Sequence, residues 1–181
     1  MKFTDINSLA RYTVSYYLEH ARKPEIKINQ VNANWTGNAA CFVSVYVENY
    51  LRGCIGNYRA FEPLYQNIIN NAISAITQDF RFSPVSLLDI PKLKVEVTVL
   101  SDPEVYEPPD VNGLIIYLNK YKPGLILEGK GHKALFLPQV WEQLPDPEKF
   151  LSELCLKADL NADYWKTSPT KYWIFHKRSD I

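Results

Sequence analysis

Residues 41–47, CFVSVYV, constrain the fold more than any other stretch. Cys41, Val43, Val45 and Val47 fall on one side and Phe42, Ser44 and Tyr46 on the other, which is the period of a strand and not of a helix. Residues 93–99 repeat the pattern, with Leu93, Val95, Val97 and Val99 alternating with Lys94, Glu96 and Thr98, so this second strand carries one polar face. Between the two runs the period changes: Leu64, Ile68, Ile69, Ala72, Ile73 and Ile76 form a broad apolar stripe at helical spacing, from Pro63 in a first turn to about Gln78.

The rest of the chain reads around that nucleus. Leu9, Tyr12, Tyr16 and Tyr17 recur at helical spacing from Asp5 to about Arg22, with Asp5, Asn7 and Ser8 as capping residues and Pro24 as the stop. Asn49 and Tyr50 form a turn candidate after the first strand, and LRGCI then returns as its hairpin partner. DFRFSP, residues 79–84, leaves helical geometry because Ser83 precedes a proline. SDPEVYEPPDVNG, residues 101–113, is rich in proline and acid and is the place for a boundary between lobes. GLIIYL, GLILE and KALFLP read as three short strands of a meander, PDPEKFLSELCLKADL as a helix with acids early and Lys157 late, and KYWIFH as a closing strand.

Composition narrows the function classes. The chain of 181 residues has the size of a single domain spanning 1–181, and 20 basic against 20 acidic residues leave no net field to draw it to nucleic acid or to an anionic membrane. No apolar run approaches the roughly eighteen residues of a membrane span, and Asp5 and Asn7 stand where a secretion signal needs apolar residues, so a cytoplasmic location is expected. Three widely spaced cysteines, Cys41, Cys54 and Cys155, suit reduced thiols better than a disulfide framework or a zinc cluster.

The chemistry concentrates at YLRGCIGNYR, residues 50–59. A strand that only fills a core has no use for Gly53 and Gly56; glycine there marks a bulge or a close approach of another backbone or a ligand. With alternating side chains Arg52 and Cys54 emerge on one face, where a fixed cation lowers a thiol's pKa and raises the reactive thiolate fraction. Two readings follow: Cys54 as thiolate with Arg52 as its charge partner, or a buried cysteine on a tight hairpin with the arginine paired elsewhere. No base is adjacent in sequence; His20, His132 and His176 reach Cys54 only through the fold. Asp79 and Arg81 either orient an anionic substrate or clamp their own loop, and Glu96 is either a general base or a solvated strand residue. GKGHK, residues 129–133, lacks the spacing of a phosphate-binding loop, and H-E-x-x-H, G-x-S-x-G and G-x-G-x-x-G do not occur. Trp35, Trp141, Trp165 and Trp173 read as core or interface aromatics.

LRGCIG (Leu51 to Gly56), then DFRFSP, VEVTVLSDPE, LFLPQVW and FLSELCLKADL, in that order along nearly the whole chain, resemble the AMMECR family, named for a human chromosomal region linked to Alport syndrome, midface hypoplasia and elliptocytosis. The resemblance implies an α+β fold of two unequal lobes, β-sheet with flanking helices and a smaller β-rich lobe, with a cleft near LRGCIG. It implies site residues Leu51, Arg52, Gly53, Cys54, Ile55 and Gly56 in the first block and Asp79, Arg81, Phe82 and Pro84 in the second, and it brings no assigned reaction and no known cofactor. Bacterial and archaeal members are commonly encoded beside a Memo-like and a radical-SAM protein, so the chain resembles component A of that three-part system. Asp159 stands where the family's K-A-G-L form has glycine, which bears on a helix C-cap. The resulting expectation is an enzyme acting on a small molecule or partner through Cys54 and Arg52. The alternative is a non-catalytic module that binds a Memo-like or radical-SAM protein, and a nucleic-acid-linked regulator stands third.

Overall fold

The computed structural model describes residues 2–167, 169–179 and 181. The chain forms two compact units, Met1–Asp102 with Arg178–Ile181, and Pro103–Lys177. Each contains an antiparallel sheet and its own helices, an α+β architecture.

In the first unit helix α1 spans Ile6–His20, capped by Asp5, whose carboxylate accepts the Ser8 N–H at 2.8 Å. Strands β1 (Ala40–Val47), β2 (Tyr50–Gly56) and β3 (Leu93–Leu100) form a sheet in the order β2-β1-β3. Helix α2, Leu64–Thr77, packs its apolar stripe with α1 against the sheet face bearing Cys41, Val43, Val45, Val95 and Val97. Polar groups inside this core are satisfied: Asn67 is fully buried and donates to the Ala39 carbonyl, and Asn71 donates to that of Cys41. The opposite face carries Phe42, Ser44, Tyr46, Cys54, Lys94, Glu96 and Thr98, all at least partly exposed.

The hairpin between β1 and β2 turns on Glu48 and Asn49, whose φ angles of 51° and 69° are those of a two-residue turn that follows the strand twist. Asn49 and Tyr50 were expected to turn; pairing of Val47 with Tyr50 moves the turn one residue earlier. Along the outer edge of β3, the Val97 N–H donates to Asn7 Oδ1 at 2.8 Å and the Arg178 N–H donates to the Val99 carbonyl at 2.8 Å.

In the second unit β4 (Glu104–Tyr106), β5 (Gly124–Gly129), β6 (His132–Phe136) and β7 (Lys171–Phe175) form a sheet in the order β4-β7-β5-β6. Helices α3 (Val111–Tyr121), α4 (Pro147–Lys157) and the short α5 (Tyr164–Thr167) complete it. Leu114, Leu118, Leu125, Leu127, Phe150 and Leu154 fill its core, where the Trp141 ring stacks on Phe150 at 3.8 Å. GLIIYL, expected as a strand, lies in α3. Its Leu114 and Leu118 are one helical turn apart and buried, and the Asp110 carboxylate caps the helix by accepting the Gly113 N–H at 2.7 Å. Lys130 and Gly131, from the GKGHK stretch, are the β5–β6 turn, with φ of 51° and 80°. Trp35, Trp141 and Trp165 are buried, and Trp173 lies under the Lys133 ammonium at 4.1 Å. No described helix is long and apolar enough to cross a membrane.

Candidate functional site

The two blocks singled out in the sequence, LRGCIG and DFRFSP, meet at the outer edge of β2. Register explains how. Val45 pairs with Gly53 and Tyr46 with Leu51, which leaves Arg52 as the extra residue of a β-bulge. Its guanidinium donates to the carbonyls of Ser83 (3.2 Å from both Nε and Nη2) and Pro84 (2.9 Å). Two residues on, the Cys54 N–H donates to Asp79 Oδ2 at 2.8 Å and the Cys54 carbonyl accepts from Arg81 Nη2 at 3.1 Å. Asp79 and Arg81 thus occupy the hydrogen-bonding positions a neighbouring strand would fill, so the outward backbone groups of Cys54 are satisfied by side chains.

Asp79 and Arg81 are themselves a two-point ion pair, Nε to Oδ1 and Nη2 to Oδ2, both at 2.7 Å. The Asp79 side chain is 3% exposed while that of Arg81 is 67% exposed. The guanidinium, and next the Cys54 N–H, hold the Asp79 carboxyl well below its usual range, at about 2, against the opposing effect of burial. Phe82 lies under Arg81, its ring centroid 5.2 Å from the guanidinium carbon, and Phe80 in the same loop is 91% exposed.

The glycines have separate reasons. A Cβ on Gly53 would overlap the backbone carbonyl of Ala75, so α2 lies on the strand at a distance only glycine allows. A Cβ on Gly56 would overlap the Cys41 carbonyl oxygen and Phe42. Ile55 points with Gly53 toward the core and packs on it, and Leu51 sits opposite Tyr46.

Cys54 falls on the polar face of the sheet. Directly opposite it on β1 is Ser44, and opposite Ser44 on β3 is Glu96, so thiol, hydroxyl and carboxylate form one row across three strands. The Ser44 hydroxyl donates to Cys54 Sγ at 3.3 Å. In the adjacent row Tyr46 is opposite Lys94, whose ammonium pairs with Glu96 at 2.8 Å and lies 5.9 Å from the Tyr46 ring centroid. Burial, and next the Glu96 charge, raise the Tyr46 pKa. Cys41 and Cys155, by contrast, are fully buried; burial pushes the Cys41 thiol up to about 12 and raises that of Cys155. Among the three cysteines, then, Cys54 is the one with any exposure.

Arg52, Gly53, Cys54, Gly56, Asp79, Arg81, Phe82 and Pro84 are brought together, and Glu96 joins them through Ser44. The histidines are placed otherwise: the His20 ring stacks on Tyr16 at 4.2 Å and His132 pairs with Gly129 in the β5–β6 hairpin. A groove of about 400 Å³ lies elsewhere, lined by residues 23–27 and by Tyr65, Gln66 and Ile69, not by LRGCIG. Ser44 and Tyr46 were missed as site residues in the sequence. The signal was a serine and a tyrosine on the polar face of a strand whose other face is valine and cysteine.

Residues 7–179 match the AMMECR1 family. The chain belongs to the AMMECR1 family. A protein of Methanocaldococcus jannaschii is 40% identical over 139 residues, 75% of this chain and 68% of that one. One of Thermoplasma acidophilum is 34% identical over 165 residues, 90% of this chain and 79% of the other. The crystal structure of an uncharacterized protein from Pyrococcus horikoshii is similar with a TM-score of 0.80 at 32% identity, covering 94% of this chain and 86% of that one. The names of these relatives assign no reaction, and the family's function is uncharacterised.

Proposed function

We propose that this chain is an enzyme acting on a small molecule through Cys54, with its sulfur as the nucleophile toward an electrophilic centre. The observation that carries this reading is the setting of Cys54: its backbone N–H and carbonyl are both held by the Asp79–Arg81 pair, while its sulfur faces the polar row and accepts a hydrogen bond from Ser44. A structural cysteine needs neither a clamped backbone nor a hydroxyl aimed at its sulfur. In this reading Arg52 holds residues 83 and 84 in place, and Arg81 supplies the positive charge beside Cys54. The test is alkylation of the native protein by iodoacetamide across pH, with modification read at each cysteine by peptide mass spectrometry. Cys54, the partly exposed thiol, is expected to react fast, while the buried Cys41 and Cys155 stay inert. Fast modification of all three, or of none, ends the reading, as does a Cys54→Ala protein that complements a deletion strain fully.

A second reading, a protein-binding module for a Memo-like or radical-SAM protein, is favoured by Phe80, a residue 91% exposed on a loop otherwise anchored by hydrogen bonds. Phe80→Ser should then abolish association in mixtures of the purified proteins and leave Cys54 alkylation unchanged. Absence of association by the unaltered chain removes this reading.

A further inference from the structure

The groove away from LRGCIG lies within the first unit, between the stretch 23–27 and helix α2. Its volume of about 400 Å³ is that of a small-molecule site, for which roughly 300 to 1,000 Å³ is usual. Pro24 and Ile69 are buried and Ile26 and Tyr65 half-buried in its lining, whereas Glu25 and Lys27 are exposed. Burial thus alternates along 24–27 as in extended chain, and Lys27 itself has φ of −80° and ψ of 148°, so Glu25 and Lys27 share the outward side. Among the described residues neither is in an ion pair. The stretch is held at both ends. Lys23 Nζ donates to Asn70 Oδ1 at 2.6 Å, and Asn70 donates to both Glu62 carboxylate oxygens, at 3.1 and 2.9 Å. At the other end the Lys27 N–H donates to Gln30 Oε1 at 2.7 Å, and the Gln30 N–H donates to the Lys27 carbonyl at 2.9 Å. Between these ties Glu25 and Ile26 make no backbone hydrogen bond among the described residues.

We infer that this groove binds a free dipeptide with apolar side chains, its ammonium on Glu25, its carboxylate on Lys27 and its side chains against Pro24, Ile26, Tyr65 and Ile69. The inference goes beyond the nucleophile reading and does not depend on it. Charge selects the class first. One unpaired acid and one unpaired base along the same rim complement a zwitterion, while a simple anion would meet Glu25 and a simple cation Lys27. Spacing then sets the length. Two residues of extended chain rise about 6.5 Å, and the charged ends of an extended dipeptide are separated by that same two-residue rise. A free amino acid carries both charges on one carbon and reaches one partner at a time. The unbonded N–H and C=O groups of Glu25 and Ile26 supply what a ligand's own peptide group requires. Because the two ties fix the stretch beforehand, little ordering is left for the ligand to impose.

The experiment is isothermal titration of the unaltered chain with L-leucyl-L-phenylalanine, its N-acetyl form, its C-terminal amide and free phenylalanine. The unblocked dipeptide should give a saturable one-site isotherm. Each blocked form, and phenylalanine, should bind about tenfold more weakly, the loss of one charge-assisted contact. Glu25→Gln should weaken the unblocked dipeptide about tenfold and leave the N-acetyl form unaffected, and Lys27→Met should weaken the unblocked dipeptide equally and spare the amide. Both side chains are exposed, so the variants should keep the Tm of the unaltered chain, recorded beside the titrations. A change that acted only through net charge would not match each variant to one blocked end. Absence of saturable heat with the dipeptide overturns the inference, as does equal affinity for blocked and unblocked forms or phenylalanine bound as tightly as the dipeptide. None of these outcomes bears on Cys54, whose alkylation should be the same in both variants.

Discussion

The molecule contains two hairpins built on the same turn and put to different uses. β1–β2 turns on Glu48 and Asn49, and β5–β6 on Lys130 and Gly131, each pair with positive φ at both positions. In the second hairpin glycine sits in the turn, where the backbone asks for it. In the first the turn has no glycine, and Gly53 and Gly56 lie inside the returning strand instead, against Ala75 and against Cys41 and Phe42. The edges differ as well. The outer edge of β6 receives an ammonium, Lys157 Nζ on the Leu135 carbonyl at 2.9 Å, whereas on β2 the Asp79 and Arg81 side chains bind the Cys54 N–H and carbonyl and the Arg52 side chain reaches out to the Pro84 carbonyl. A hairpin that only has to fold spends its special residues on the turn. One that presents a side chain in fixed geometry spends them along the strand.

The comparison can be broken at Gly53. Gly53→Ala places a methyl into the Ala75 carbonyl and should cost about 3 kcal/mol or more, enough to abolish cooperative unfolding in a urea titration. Next comes the clip at Cys54. Asp79→Asn removes the charge that Arg81 and the Cys54 N–H share and should cost about 2 kcal/mol near neutral pH. The sign with pH is definite. The folded pKa of about 2 lies below the ordinary 3.8, so the stabilisation is complete above about 4 and is lost as pH falls from there through 2. Thermal melts between those pH values should show a slope in the unaltered chain that is shallower in the variant. Gly131→Ala, with open space around it and φ of 80°, should cost only about 1 kcal/mol by denaturant titration, purely from strain. The smallest effect runs the other way: Asn49→Gly relaxes a left-handed residue in the first turn and should raise stability by about 0.5 kcal/mol, seen as a small rise in Tm.

What could be read from the sequence was whatever depends on period. The alternations at 41–47 and 93–99 and the stripe from Leu64 to Ile76 correspond to β1, β3 and α2, since one buried face fixes each of them locally. GLIIYL failed because six apolar residues contain too few turns to separate the two periods, and the cap that decides it, Asp110, lies outside the run. The helix C-cap in question at Asp159 forms with that residue at φ 56°, and the Leu160 N–H reaches back to the Cys155 carbonyl; aspartate tolerates a conformation that glycine adopts freely. At the candidate site, residue types were legible and partnerships were not. Arg52 meets Ser83 and Pro84 across thirty residues, and Cys54 meets Ser44 through a register set by a bulge that the glycines allow but whose position, at Arg52, they do not fix.

One hydrogen bond has a consequence in time. The Arg178 N–H closes on the Val99 carbonyl, so the stretch from Pro103 to Lys177 is an insertion between two points of the first unit that touch. During synthesis the ribosome must deliver every residue of the inserted unit before β3 receives that contact, and until then the strand carries an unfinished border. The inserted unit, held by two covalent tethers and not one, gives up in advance part of the freedom that a terminal domain on a single linker retains.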